Sequence, residues 1–358
     1  MTVPPSMAKF REQLGNRYGS RLSRSDKPVT YEVISTGSLT LDLAMRTGGW
    51  IRGRTHEIVG QPGAAKTTLS ILAAVEHQKA TGKAVGWIDM EQSFDWAWAE
   101  ALGLDTSEDA FTHIYPDDSE DVSDMNKLMA QTSLYGLIVV DSIGGMESKK
   151  AFEKDAEEVT MGRNAQVITR MVKQAASLAR SNKITVIYVN QLRANLAYAG
   201  QDNPAGPKAL QYNTTMSIRM ARKSGAASDT LIKTKVDGED EEIAKRFVAK
   251  VTRSRVSPQG RQAEFWLFNQ PTEEYGPIGI DRVDEAVNIG LRMGVIKQAG
   301  AFYTLPGQDK AIQGRAKLVA ALRSDPAAVV NIREQALKGV AHEIEAETET
   351  TFEEAGDE

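Results

Sequence analysis

The stretch Gly60-Gln61-Pro62-Gly63-Ala64-Ala65-Lys66-Thr67-Thr68 decides how this chain is read. It follows the apolar run Glu57-Ile58-Val59 and precedes a helix-like segment, Leu69 to His77, so it sits at a strand-to-helix junction. A loop in that position turns successive backbone N–H groups inward at the positive end of a helix, which suits a polyphosphate. Gly60 and Gly63 let the backbone bend and approach closely. In the pattern G-x-x-x-x-G-K-[ST], the lysine (Lys66) reaches the β- and γ-phosphates and the following hydroxyl (Thr67) ligates Mg²⁺. The glycine expected before the lysine is Ala65. That exchange is harmless if the residue keeps a negative, helix-like φ and costly if φ must be positive. A nucleoside triphosphate is therefore expected along the whole run from Gly60 to Thr68.

Three later segments extend the site. Leu137-Ile138-Val139-Val140-Asp141-Ser142 has the form of a buried parallel strand that delivers a carboxylate to its C-terminal edge, beside Mg²⁺. Ala84 to Asp89 reads as a second such strand, and Glu91 just beyond it stands where water would attack the γ-phosphate. Ile184 to Gln191 ends in the amides of Asn190 and Gln191. An amide can donate to a γ-phosphate oxygen and lose that partner after hydrolysis, as a sensor must.

At 358 residues the chain can hold one large domain with smaller additions. No apolar stretch approaches the roughly 20 residues of a membrane helix. The N-terminus MTVPPSMAKFREQ lacks a secretory apolar segment, so no membrane partner is expected. The absence of cysteine excludes disulfide staples and cysteine zinc sites, and fits a reducing cytoplasm. The net charge of −5 is unevenly spread: residues 343–358 carry eight acids and no Lys or Arg, leaving the remainder at +3. Such a tail can compete with phosphate backbones for basic surface, although a plain solubility tail has the same composition.

Four regions follow from these patterns. Residues 1–30 carry six basic side chains, with Phe10 and Leu14 four apart on one stripe, and read as a short helical segment that packs on a neighbour. Residues 31–274 alternate strand-like runs with helical patterns (Leu69 to Lys79, Val122 to Leu134, Ala165 to Ala179), the mark of a mostly parallel sheet flanked by helices. Within it, Lys149 to Met161 and Arg193 to Lys208 read as loops. Residues 275–340 form a small α/β unit, with helices near Val283 to Met293 and Gly314 to Leu322 and a strand at Ala301 to Thr304; residues 341–358 are the acidic tail. The sites fall at strand C-termini, where parallel sheets collect ligands.

In order and spacing these residues resemble the bacterial RecA family of recombinases over nearly the whole chain. The matching stretches are Ile34-Ser-Thr-Gly-Ser38, the phosphate loop, Trp87-Ile-Asp-Met-Glu91, Ile138-Val-Val-Asp-Ser142, Val189-Asn-Gln-Leu-Arg193, Gln262-Ala-Glu-Phe265 and Ala299-Gly-Ala-Phe-Tyr303. Ala65 and a divergent first loop look more like a phage-encoded relative than a bacterial housekeeping form. The resemblance implies a RecA-type P-loop ATPase core and a homopolymer wound as a helical filament on single-stranded DNA. It further implies ATP between adjacent subunits, strand exchange with homologous duplex DNA, and a DNA-dependent ATPase serving homologous recombination and repair. A single-stranded-DNA-binding protein or a loader would be an accessory partner. Two rival readings share parts of this pattern: a hexameric DNA motor of the same fold, and a non-hydrolysing nucleotide-gated DNA-coating protein.

By matching position, Glu91 resembles the general base that orients water, worth about 10²–10⁴-fold. Asp141, next to Ser142, resembles the acid that supports Mg²⁺ through water, and Gln191 the γ-phosphate sensor at the start of the second DNA loop. Asp95 and Trp98 fall where the family contacts adenine. Arg253 and Arg255 align with two lysines that reach the neighbouring subunit's ATP; arginine keeps the charge and adds a planar fork. An exposed basic strand edge is the alternative for this pair. For DNA, the resemblance points to Met161, Gly162 and Arg163 in the first loop and to Arg193, Asn195, Leu196 and Lys208 in the second. Leu196 is the wedge between base triplets. Arg163 reads equally as a solvated residue at a helix start.

Overall fold

The structure is a computed structural model describing residues 5–18, 31–145, 157–193, 203–236, 239–272 and 275–339. Asn195, Leu196 and the tail from residue 341 lie outside the described residues. The N-terminal unit, Met1–Glu32, is separate from the rest and contains helix α1 (Pro5–Tyr18), on which Met7 and Phe10 are exposed.

The second unit opens with a two-stranded ribbon, β1 (Val33–Ile34) with β2 (Trp50–Ile51), around helix α2 (Leu39–Ala44). The alternation that follows is the expected one: β3 (Thr55–Gly60), α3 (Lys66–Thr81), β4 (Ala84–Asp89), α4 (Trp96–Ala101), β5 (Phe111–Ile114), α5 (Ser119–Gln131) and β6 (Tyr135–Asp141). Then come α6 (Glu157–Asn182), β7 (Thr185–Arg193), the short β8 (Asn203–Pro204), α7 (Lys208–Asn213) and β9 (Met216–Arg222). Six strands pair in parallel in the order β9-β3-β7-β6-β4-β5. All six residues of β3 are buried, as a strand covered by helices on both faces requires. Helix α3 packs one face of the sheet, joining Leu69, Leu72 and Val75 to Trp87, Val139 and Ile218. Helices α5 and α6 cover the other, where Val122, Met171 and Val172 meet Ile88, Ile138 and Tyr188.

Beyond β9 the sheet continues antiparallel, which the βαβ alternation did not announce. After the short helix α8 (Ala227–Thr230), β10 (Leu231–Val236) pairs with the long β11 (Glu239–Ser254). That strand also pairs with β9 and with β12 (Gln262–Phe268), and β13 (Gly279–Ile280) closes the edge. The β9–β11 register shifts between Val251 and Arg253, a bulge that re-aims the side chain of Arg253. Arg253 lies past Lys250, where the pairing of β11 with β12 ends, and pairs with β9 alone; Arg255 follows the strand.

The C-terminal region holds α9 (Arg282–Arg292) and a three-stranded antiparallel sheet of β14 (Lys297–Ala299), β15 (Phe302–Thr304) and β16 (Ile312–Gln313). These are followed by α10 (Arg315–Arg323) and a last helix over 326–339. Val287, Ile296, Leu318, Leu322 and Ile332 form its core. It is fastened to α2 by Leu39, Leu43, Ile289 and Ala336 and by two buried carboxylates, Asp42 of α2, which accepts from Arg333, and Glu285. Glu285 accepts hydrogen bonds from Ser38 Oγ at 2.5 Å, Leu39 N at 2.9 Å, Thr40 N at 3.2 Å and Thr40 Oγ1, supplying acceptors to the orphan donors at the start of α2.

Candidate nucleotide and DNA site

The phosphate loop leaves β3 at Gly60, where a Cβ would lie 2.5 Å from the carbonyl oxygen of Met220 on β9; only glycine permits that approach. Gly63 has φ +69° and Ala65 has φ +58°, ψ +31°, so the residue before Lys66 is left-handed and the alanine is strained there. Lys66 is largely buried and donates from Nζ to the carbonyl of Gln61 at 3.0 Å, spanning the loop that its charge is meant to serve. Burial lowers its pKa, while Asp141 and Glu91 act to hold its proton.

Strands β6 and β4 deliver the acids as expected. Thr67 Oγ1 donates to Asp141 Oδ2 at 2.8 Å. Burial pushes Asp141 up to about 7; the Thr67 hydrogen bond opposes this, Glu91 and Asp89 add to it, and Lys66 counters. A desolvated carboxylate beside two other acids and a hydroxyl is a hard-oxygen donor set short of positive charge, which fits Mg²⁺. Among the described residues no group of three or more His, Cys, Asp or Glu forms a metal cage. Mg²⁺ bound through one carboxylate, a hydroxyl, water and phosphate needs none.

Glu91 follows β4 in a turn organised by Asp89, whose carboxylate accepts from Glu91 N, Ser93 N and Phe94 N at 3.0 to 3.1 Å. His113 Nε2 lies 3.4 Å from the same carboxylate, too long and misdirected for a good hydrogen bond, and burial lowers the His113 pKa while Asp89 opposes the shift. Glu91 Oε1 in turn accepts from Ser142 Oγ and, at 2.6 Å, from Gln191 Nε2 at the end of β7. The expected base and the expected sensor are thus hydrogen-bonded to each other. Asp95 caps α4 by accepting Trp98 N at 2.9 Å, and the Trp98 indole Nε1 lies 3.4 Å from Thr68 Oγ1, which brings both to the rim of the loop.

Arg253 and Arg255 converge on one exposed aromatic residue, Tyr212 at the end of α7. The Arg253 guanidinium carbon stands 5.4 Å from the ring centroid and Arg255 Nη2 donates to the Tyr212 carbonyl. Sequence reading missed both Tyr212 and Arg222, the last residue of β9. Arg222 Nε donates to the Gly63 carbonyl at 3.1 Å, forming with Arg219, Gln61 and Leu192 the wall of a 320 Å³ pocket beside the loop. No local motif signals either contact.

The DNA candidates are more dispersed. Met161, Gly162 and Arg163 fall inside helix α6, which begins at Glu157, and not in a loop reaching Met161. Arg193 ends β7, and Lys208 is exposed at the first turn of α7.

Residues 3–271 match the family model of the RecA N-terminal domain. The chain belongs to the RecA family. It is 31% identical over 324 residues to Protein RecA of Streptomyces rimosus, covering 90% of this chain and 80% of that one. It is 29% identical to Protein RecA of Saccharopolyspora erythraea over 96% of this chain and 94% of the relative, and 29% identical to that of Cereibacter sphaeroides over 92% and 91%. The mixed fold with its large, mainly parallel central sheet is the one expected of such a core. Among the described residues no helix is long and apolar enough to cross a membrane.

Proposed function

We propose that this RecA-family chain is an ATP-dependent recombinase that forms a helical filament on single-stranded DNA, pairs it with homologous duplex and exchanges strands, with DNA-stimulated ATP hydrolysis. The observation that carries the reading is the convergence of Lys66, Thr67, Glu91, Asp141 and Gln191 at the ends of four adjacent parallel strands: Thr67 bonds Asp141, Gln191 and Ser142 bond Glu91, and the charge of Lys66 is felt by both Asp141 and Glu91. Lys66 and the loop amides bind the phosphates. Thr67 and, through water, Asp141 hold Mg²⁺, which neutralises charge on the phosphate oxygens when bound. Glu91 orients the attacking water and takes its proton. Gln191 leaves Glu91 for the γ-phosphate and reports its presence to the segment that follows β7.

Arg253 and Arg255 serve the ATP of the adjacent subunit, which makes the site complete only in a polymer. The cation–π contact with Tyr212 holds one of them ready at its own surface. Arg163, Arg193, Asn195, Leu196 and Lys208, with the backbone at Met161 and Gly162, contact DNA. Because phosphate contacts dominate, binding falls steeply with salt and shows little sequence preference. Domain boundaries near 30, 274 and 340 belong to the same proposal. Electron microscopy of the full chain on single-stranded DNA with Mg²⁺ and a non-cleavable ATP analogue, alongside a strand-exchange assay, tests it: open helical filaments and joint products are expected. Closed rings, or a monomer on DNA, would overturn it.

A further inference from the structure

Glu57 lies in the middle of β3, three residues before the phosphate loop, and is 1% exposed. Nothing in the nucleotide chemistry above uses it. A parallel strand buried on both faces is stable with apolar residues throughout, and burial of a carboxylate is costly unless it is paired and hydrogen-bonded. Both of its oxygens are occupied, each by a different neighbouring strand. Asn190 Nδ2 on β7 donates to Oε1 at 2.8 Å, and Ser217 Oγ on β9 donates to Oε2 at 2.7 Å.

Each partner leads to a different part of the site. The Asn190 amide also donates to the carbonyl of Ala205 at 2.9 Å, and its Oδ1 accepts the N–H of Gln191 at 2.9 Å. Ala205 N donates to the Gln191 carbonyl at 2.8 Å. Every polar group of Asn190 is therefore spent on holding Gln191 and the chain returning at Ala205 to Glu57. On the other side Ser217 is the register partner of Arg253 at the β11 bulge, and its carbonyl accepts from Thr252 Oγ1 at 3.1 Å. Burial pushes the Glu57 carboxyl up; the hydrogen bonds from Asn190 and Ser217 oppose this, and the field of Arg253 adds a smaller contribution in the same direction as those bonds.

We propose that Glu57 is a positioning residue that couples Gln191 to Arg253 through the sheet. When Arg253 turns to an anion on an adjacent subunit, Glu57 loses its compensating charge and leans on Asn190 and Ser217. The tightened Asn190 bond shifts the backbone of Gln191, so occupancy at one boundary is felt at the sensor of the other. The inference rests on the roles proposed above for Gln191 and Arg253.

The full chain with Glu57→Gln tests it. Glutamine keeps the volume; its oxygen can accept from Asn190 and its amide can donate to the Ser217 hydroxyl, so only the charge is removed. Binding of a fluorescent ADP analogue and ATP turnover without DNA should stay within about twofold of the parent, while stimulation by single-stranded DNA falls about tenfold. A purely structural Glu57 would lower the melting temperature and leave the ratio of stimulated to basal turnover unchanged, which overturns the proposal. If Glu57→Gln does not fold, Ser217→Ala decides, because it removes one donor and retains the charge: a roughly threefold fall in the ratio supports the coupling and an unchanged ratio overturns it. Absence of stimulation in the parent chain would instead refute the functional reading beneath.

Discussion

Gln191→Ala separates two roles that the resting hydrogen bond joins. Gln191 Nε2 donates to Glu91 Oε1 at 2.6 Å, on the same oxygen that accepts from Ser142 Oγ. A hydrogen bond to a charged group contributes about 1.5–3 kcal/mol, and the solvent exposure of this pair places it at the low end, about 1.5 kcal/mol. That energy corresponds to roughly a tenfold bias towards the carboxylate orientation that faces the glutamine and not an attacking water. Removing the amide releases the bias, so ATP turnover without DNA should rise by up to about tenfold. The same substitution deletes the donor that would report the γ-phosphate, so DNA should no longer accelerate turnover. Steady-state phosphate release, with and without saturating single-stranded DNA, reads both effects. Basal turnover that stays flat while stimulation persists would refute the reasoning, since neither restraint nor sensing would then pass through this side chain. Ser142→Ala is the control: it leaves the Gln191 bond in place and should retain stimulation.

Four other outcomes follow from particular contacts. Arg253→Ala should cut DNA-stimulated turnover by about 10³-fold if the guanidinium acts on a neighbour's ATP, with a much smaller effect on nucleotide affinity; unchanged turnover at saturating DNA removes the assignment. Ala65→Gly relieves a left-handed alanine worth about 1–2 kcal/mol and gives back about 0.4–1 kcal/mol of chain entropy, a net gain near 0.5–1 kcal/mol that urea denaturation would register. Glu285→Ala strips the acceptor from the start of α2 and should cost about 3 kcal/mol, seen as a lower denaturation midpoint; a loss under about 1 kcal/mol would mean water replaces it. His56 and His77 are held at about 4 and about 3, chiefly by burial, so both stay neutral while the unfolded chain protonates. Their share of stability is full well above pH 6.5 and falls as the pH drops, by about 3 kcal/mol for the pair between pH 6.5 and 5; a flat stability profile across that window would contradict it.

What was legible in the sequence is what a short window can carry. Ile58-Val59, Trp87-Ile88, Leu137 to Val140 and Val186 to Val189 are largely apolar because parallel strands are covered on both faces, and Asp89, Asp141, Asn190 and Gln191 are polar because strand ends face ligand. The long strand β11 hid for the opposite reason. Its sequence, EDEEIAKRFVAKVTRS, interleaves charges with apolar residues because much of it is half solvated, and no glycine or proline marks the bulge that aims Arg253. The last helix had a local signal that went unused: Asp325 accepts Ala328 N at 3.0 Å and Pro326 takes the first helical position.

The contacts that position the chemistry have no such window. Arg222 reaches Gly63 across 159 residues, Ser217 reaches Glu57 across 160, and Leu39 N reaches Glu285 across 246. Gly63 apart, none of these residues belongs to a motif, and each is ordinary in its own neighbourhood. Motifs persist where a ligand demands several groups from one turn of chain, as the phosphates do of the loop. Coupling between strands demands one group from each of several turns. The sequence therefore displays the catalytic parts and conceals the linkage between them, and that linkage is where substitutions can change DNA stimulation without touching nucleotide binding.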